Sequence, residues 1–365
     1  MFDNLTNILD LGMFSDLEKQ IMNENKVEFN KQINDFMKTS RAASKLSYCY
    51  YCGREIGSFC NSHTVPAFCL RNIAVNGKVS TLNSIIDFPL LNNDKGVAQA
   101  GTFQLICRDC DSKIFSDYEN PYNYDELPTQ KMLAQISLKN NLKFISKRRI
   151  EKEFFTCMLE KNNMIQNFAD AKHFVQELDL NEYINAFNKA KKALEKGWDE
   201  YYLCYYEKLN YTVPIAFQGC ISIAIDFDGS IINDIYNQSP KYILKPIHIC
   251  IFPFEDSSII MMFIENGDKR YRNFYKTFSK LELSDKLLTL LYIILAYSED
   301  FYISPRIYNA ATKNKEVVRI SQKGQDIFSF TPYFDPYALL KKQFDLEERK
   351  KLPNFLLEEY RMDKE

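Results

Sequence analysis

Two Cys-x-x-Cys pairs, Cys49-Tyr-Tyr-Cys52 and Cys107-Arg-Asp-Cys110, constrain this chain more than any other feature. Two residues between cysteines let both sulfurs of one turn reach the same tetrahedral ion at about 2.3 Å, and two such turns complete a four-thiolate site. The first pair runs straight into Gly53, where the backbone must curl so that its amides face the sulfurs. The expected occupant is a structural Zn²⁺ rather than a disulfide set, since the cysteine spacing is not that of a small oxidised scaffold. The other six cysteines, at 60, 69, 157, 204, 220 and 250, follow no ligand spacing and are expected to act as small core hydrophobes. The stretch between Cys52 and Cys107 is long for a compact finger, so something is inserted between the two turns, and the insertion contains Ser62-His63-Thr64-Val65-Pro66.

Cys49-x-x-Cys52, then His63 with Pro66 three residues on, then an apolar strand running into Cys107-x-x-Cys110-Asp111 resembles the HNH (ββα-metal) endonucleases that carry a four-cysteine zinc. The resemblance covers residues 46–120 only and implies a ββα-metal or treble-clef-like module. It also implies a hydrolase that cleaves phosphodiester bonds, with DNA as the expected substrate. His63 would be the general base that activates water, and a catalytic Mg²⁺ or Mn²⁺ would stabilise charge on the scissile phosphate. Many members place a carboxylate ligand immediately before the histidine, where this chain has Ser62, a poorer ligand for a hard cation. The usual Asn after the second knuckle is Asp111 here, a good ligand for such a cation. Asp111 also stands where an N-cap would stand, so capping is its alternative role. His63 has an alternative too, as a packing or capping residue. For the family's middle Asn, the candidates Asn83, Asn92 and Asn93 are not separated by spacing.

Beyond the module, apolar residues recur at helical spacing over 3–22 and 26–45, over Gln130 to about Lys161, and over about Asp170 to Lys196, which ends at Gly197. On the third of these, Lys139, Lys143 and Lys147 recur every four residues with Arg148 beside them. This basic stripe suits phosphate contact without sequence readout, or equally an ordinary solvated face. Residues 211–275 change character. Cys220–Asp226 and Ile231-Ile232 flank Asp228-Gly229, a hairpin-turn dipeptide, and Ile247–Phe254 with Ile259–Ile264 make a second hairpin. A buried helix is expected at about 284–296. His173 and His248 lie outside any ligand spacing and read as structural.

The expected fold class is therefore α+β, with N-terminal helices (1–45), the zinc module (46–128), a helical connector (129–200) and an antiparallel α+β domain (201–365) that would take a regulatory ligand or protein. A nuclease module joined to an unrelated domain resembles anti-phage or mobile-element proteins of bacteria. With 46 Lys and Arg against 48 Asp and Glu, nucleic-acid binding requires a local patch. No apolar run reaches the roughly 18–20 residues that span a bilayer, and the N-terminus lacks a signal-peptide pattern, so the expectation is a cytoplasmic protein without membrane partners. No Gly-x-Gly-x-x-Gly or Walker-type loop is present, and Asp226-Phe-Asp228-Gly229 lacks the further ligands of a calcium loop. A non-catalytic zinc module that binds nucleic acid or protein is the alternative function.

Overall fold

A computed structural model describes residues 26–82, 94–162, 166–298, 300–323 and 335–363. The expected helix over 3–22 and the candidates Asn83, Asn92 and Asn93 lie outside the described residues, as does the side chain of His173. The fold is α+β, built on an antiparallel sheet.

Helix α1 (Lys26–Ala43) leads into the first Cys-x-x-Cys turn. The insertion holds β1 (Ser62–His63), α2 (Ala67–Ile73), β2 (Lys78–Ser80), β3 (Asp94–Gly96) and β4 (Thr102–Phe103), and the second turn opens α3 (Arg108–Ile114). Two long helices follow, α4 (Gln130–Asn162) and α5 (Gln166–Lys196), where the 3.6-residue periodicity puts them. Gly197 stops α5 in the left-handed region at φ +68°, and the Trp198 amide donates to the Ala193 carbonyl at 3.0 Å, a Schellman closure.

Strands β5 (Tyr201–Leu209), β6 (Ile215–Ile221), β7 (Ile247–Pro253) and β8 (Ser258–Glu265) then build the sheet. Helices α6 (Arg272–Phe278) and α7 (Leu283–Tyr297), strand β9 (Tyr302–Ile303) and helices α8 (Pro305–Lys313), α9 (Lys315–Ser321) and α10 (Pro336–Gln343) complete the chain. The β7–β8 hairpin forms as its sequence implies, with Ile251 opposite Ile260. The Asp228-Gly229 turn also forms, with Gly229 at φ +77°, but a single bridge between Ile225 and Ile231 replaces the expected ladder. The long strand preceding that turn pairs with β7 instead, Gly219 opposite Ile249.

Strands β6 and β7 are buried along their whole length, and β8 along all but its last residue. Such strands read as continuous apolar runs because both faces are covered. Ile247, Ile249 and Ile251 point into one core with α6, α7, α8 and α9. Cys250, Phe252, Met261 and Phe263 point into a second core that they share with α4 and with Val65, Leu70, Ile106 and Phe115 of the zinc region. The sheet order is β3-β2-β9-β6-β7-β8-β5, so strands from the insertion continue the sheet formed mostly by residues 201–265. One core thus draws on residues from all of the segments 46–128, 129–200 and 201–365, and one sheet on strands from the first and the last of them. Among the described residues no helix is long and apolar enough to cross a membrane.

Candidate metal centre and its neighbouring charge cluster

Each cysteine pair is set by local backbone geometry. In the first, the Cys49 amide donates to the Arg54 carbonyl at 2.9 Å, the Gly53 amide to the Cys49 carbonyl at 2.8 Å, and Gly53 takes φ +71°. In the second, Cys107 is the N-cap of α3 and Cys110 lies in its first turn. The Tyr50 amide donates to the Leu105 carbonyl at 3.0 Å, and the Cys107 amide donates to the Cys49 sulfur at 3.3 Å, which locks the two turns together. The four sulfurs all lie within 4.8 Å of one another. Ligands at about 2.3 Å from a tetrahedral Zn²⁺ stand roughly 3.8 Å apart, so this set fits such an ion.

The electrostatics of the site also suit a metal held by thiolates. Arg54 donates from Nε to the Cys52 sulfur at 3.4 Å and from Nη2 to the Cys107 sulfur at 3.8 Å, and it pairs with Asp109 at 3.1 Å. The Arg54 guanidinium holds the Cys52 thiol down to about 6, within reach of deprotonation at neutral pH. Cys49, Cys107 and Cys110 are buried and Cys52 is exposed, so the ion would sit at the edge of the fold. Of the remaining cysteines, 69, 204, 220 and 250 are buried as expected, whereas Cys60 and Cys157 are half-buried.

The resemblance to HNH nucleases would put a second cation between positions 62 and 111. Strand β1 pairs with β4, Ser62 opposite Phe103, and brings the buried Ser62 hydroxyl against the Asp111 carboxylate, to which it donates. The gap beside them is filled by a side chain. The Lys139 ammonium donates to Ser62 Oγ at 2.8 Å, to Asp111 Oδ1 at 2.8 Å and to Glu119 Oε1 at 3.0 Å. It also lies 3.7 Å from the centroid of the Phe115 ring. An ammonium has three protons, and here three acceptors take them. The Cys60 thiol donates to the other Asp111 oxygen at 3.4 Å. Burial would raise the Asp111 carboxyl, but the Lys139 charge and hydrogen bond outweigh it and hold the group below its usual value.

No hydrogen bond or ion pair joins His63 to Asp111, the residues proposed from sequence for catalysis. His63 Nε2 is 3.0 Å from the Val97 carbonyl, so its ring engages the backbone on one side while Ser62 engages Asp111 on the other, as successive strand residues do. Asp111 is not an N-cap either, since α3 begins at Arg108 and the Asp111 amide donates to Cys107. Asp117 is occupied by Lys131 at 2.9 Å and by Gln135 at 2.6 Å.

The basic stripe requires a correction. Helix α4 is the central helix of the molecule, buried from Met132 through Lys143, and its cations point inward. The Lys139 side chain has 0% exposure. Lys143 and Lys147 both face Asp300, at 3.0 and 3.5 Å, and Arg148 pairs with Asp179 at 3.0 Å and with Glu151. They form no solvent-facing track for a nucleic-acid backbone. The signal for Lys139 was present in the sequence: it lies three residues from both Ile136 and Leu142, on the apolar stripe itself, where a charge implies an internal partner. Glu119 and Phe115 had no such signal.

No protein-family model matches the chain, and neither a curated protein nor a solved structure matches it.

Proposed function

We propose that this chain is a zinc-stapled, non-catalytic interaction protein, in which a lysine ammonium replaces the catalytic cation of an HNH-like layout. The observation that carries this reading is the position of Lys139, with its three protons on Ser62, Asp111 and Glu119. A divalent ion within about 4 Å of that ammonium would meet roughly 8 kcal/mol of repulsion at an effective dielectric near 20. Asp111 and Ser62 are thereby committed to an internal ion pair. The structural Zn²⁺ on Cys49, Cys52, Cys107 and Cys110 holds the two turns and leaves an architecture that binds a nucleic-acid or protein partner.

The nuclease reading keeps one observation in its favour: β1 pairs with β4 and α3 follows, a strand–strand–helix order that carries His63 and Ser62 on β1 and Asp111 on α3. Incubating supercoiled plasmid with zinc-loaded protein and Mg²⁺ or Mn²⁺ separates the two. The expected result is no nicking by wild type or by His63→Ala, each carrying one zinc per chain. Nicking by wild type that His63→Ala abolishes would instead establish catalysis with His63 as base.

A further inference from the structure

A cleft of about 1400 Å³ opens between α1, β3, α4, α5, the start of β7 and the loop over 235–246. That exceeds the roughly 300–1,000 Å³ of ordinary small-molecule sites, so an extended ligand fits it better than a compact one. Its walls carry nine Lys and Arg against five Asp and Glu in a chain of net charge −2, which concentrates positive charge in one concavity.

Five of those cations are taken up inside the protein. Asp300 faces Lys143 and Lys147, Glu151 and Asp179 face Arg148, and Glu265 faces Lys189 and Lys245. The other four have no carboxylate partner among the described residues: Arg41 in the last turn of α1, Lys45 just beyond it, Lys95 on β3 and Arg149 on α4. Arg41, Lys45 and Lys95 are exposed, and Arg149 Nη2 donates to the Ser44 carbonyl at 3.1 Å, which ties the end of α1 to α4. Against these four stands Glu182, the lining carboxylate outside the ion pairs, which accepts from the Leu244 amide at 3.2 Å.

Two groups in the same walls are buried with hydrogen-bonding capacity unmet. Gln176 is 6% exposed and its Oε1 has no partner, and Arg149 Nε is likewise buried and unpartnered. An acceptor and a donor of this kind are satisfied by a ligand edge that offers both an N–H and an acceptor, as nucleobase edges do. Phe155 and Tyr236 line the cleft half-buried, and Ile243, 51% exposed, adds a further apolar surface. Unpaired cations together with stacking surfaces are the two parts of a single-strand site. A peptide strand finds no place to add on the sheet here, because β6 and β7, which give Gly219 and His248 to the lining, have both edges paired.

We propose that this cleft binds single-stranded nucleic acid, its phosphates on Arg41, Lys45 and Lys95 and its unpaired bases against the aromatic walls, Gln176 and Arg149. The proposal rests on the interaction-protein reading and names the partner and its place. A single strand is required because a duplex keeps the base edges that Gln176 and Arg149 would meet in its own pairing.

The test is fluorescence anisotropy of labelled oligothymidylate and oligouridylate titrated with the zinc-loaded full chain at several salt concentrations, without Mg²⁺ or Mn²⁺. Saturable binding is expected, and the two strands show whether the site prefers DNA or RNA. Lys45→Gln with Lys95→Gln, on exposed side chains, should weaken binding roughly tenfold and lower the log–log salt slope by about 1.4, two phosphate contacts at roughly 0.7 each. Gln176→Leu should weaken binding several-fold with the slope unchanged, since it removes a base contact. Lys276→Gln with Lys280→Gln, the same charge change on exposed residues outside the cleft, should leave both quantities as in wild type. Thermal unfolding shows that each variant remains folded. Absence of saturable binding to either strand overturns the proposal, as does an equal loss in the Lys276 and Lys280 variant. Tighter binding of a duplex of matched length also overturns it, and so does displacement by polyglutamate as effective as by unlabelled strand, which would assign the cleft to an acidic protein. Failure of the interaction-protein reading is distinguished by the plasmid assay: nicking that His63→Ala abolishes ends that reading, whereas loss of strand binding without nicking ends the cleft proposal alone.

Discussion

Lys139 binds together three elements through one atom, since Ser62, Asp111 and Glu119 come from β1, α3 and the segment following α3. Removing it would strand two carboxylates on a surface only partly open to water. Lys139→Met should cost on the order of 3 kcal/mol, and the addition of Asp111→Asn should recover part of the loss, because the penalty is mostly uncompensated charge. Urea denaturation of the two variants measures this; equal stability of wild type and Lys139→Met would show that the ion pair contributes nothing. Gly101 is constrained by space as well as by its φ of +64°. A Cβ there would stand 2.6 Å from the Tyr302 hydroxyl and 2.8 Å from Thr64 Oγ1. Gly101→Ala is expected to destabilise by about 2–3 kcal/mol and lower Tm accordingly, whereas an unchanged Tm would mean that the loop relaxes freely. His248 is stacked on Phe263 and bonded to Asn140 at 3.1 Å, and burial holds it down to about 4. Between pH 6.5 and 4 the unfolded chain therefore takes up a proton that the folded chain refuses. The stability contributed by neutral His248 is complete above 6.5 and falls by roughly 3 kcal/mol as the pH drops toward 4. Glu182, raised to about 7, acts in the opposite direction over part of this range, so the comparison must be with His248→Gln. That variant should show a flatter acid limb in urea titrations at several pH values; superimposable pH profiles would contradict the assignment.

Among the elements, the two cysteine turns depend most on something outside the polypeptide. They bracket a stretch whose strands β1, β2, β3 and β4 have only two or three residues each. Binding of a structural metal is folding free energy for such a region. Stripping zinc with a chelator should lower Tm substantially, and Cys52→Ser, at the exposed ligand, should reduce zinc content with a smaller fall in Tm; calorimetry alongside metal analysis reads both. Zinc loss with no change in Tm would show the cysteines to be dispensable. The turns were legible in the sequence because Cys-x-x-Cys followed by Gly fixes backbone and ligand together. The helices α4 and α5 and the β7–β8 hairpin were legible through periodicity and turn residues. The direction of the α4 cations was not, because a four-residue repeat of lysine looks the same whether it faces water or Asp300. Only Lys139 betrayed itself, between Ile136 and Leu142.

For the molecule as a whole, local pattern carried the class but not the assembly. Nothing in Lys78–Ser80 or Asp94–Gly96 announces that they extend a sheet centred more than a hundred residues later, since the two pair with each other and only Ser80 joins them to β9, a pairing that depends on tertiary contacts. Continuous apolar strands such as Ile247–Pro253 signalled cover on both faces, yet the sequence does not say that the zinc region supplies part of that cover. The cleft was likewise invisible, because its charges come from α1, α4, α5 and the loop before β7, which only the fold brings together. At this scale the central claim is that one structural ion is held and that the second cation position belongs to Lys139. The direct measurement is a titration of zinc-loaded protein with Mn²⁺, counting bound ions by electron paramagnetic resonance. The account predicts one zinc per chain and no stoichiometric Mn²⁺; a single tightly bound Mn²⁺, lost on Asp111→Ala, would contradict it.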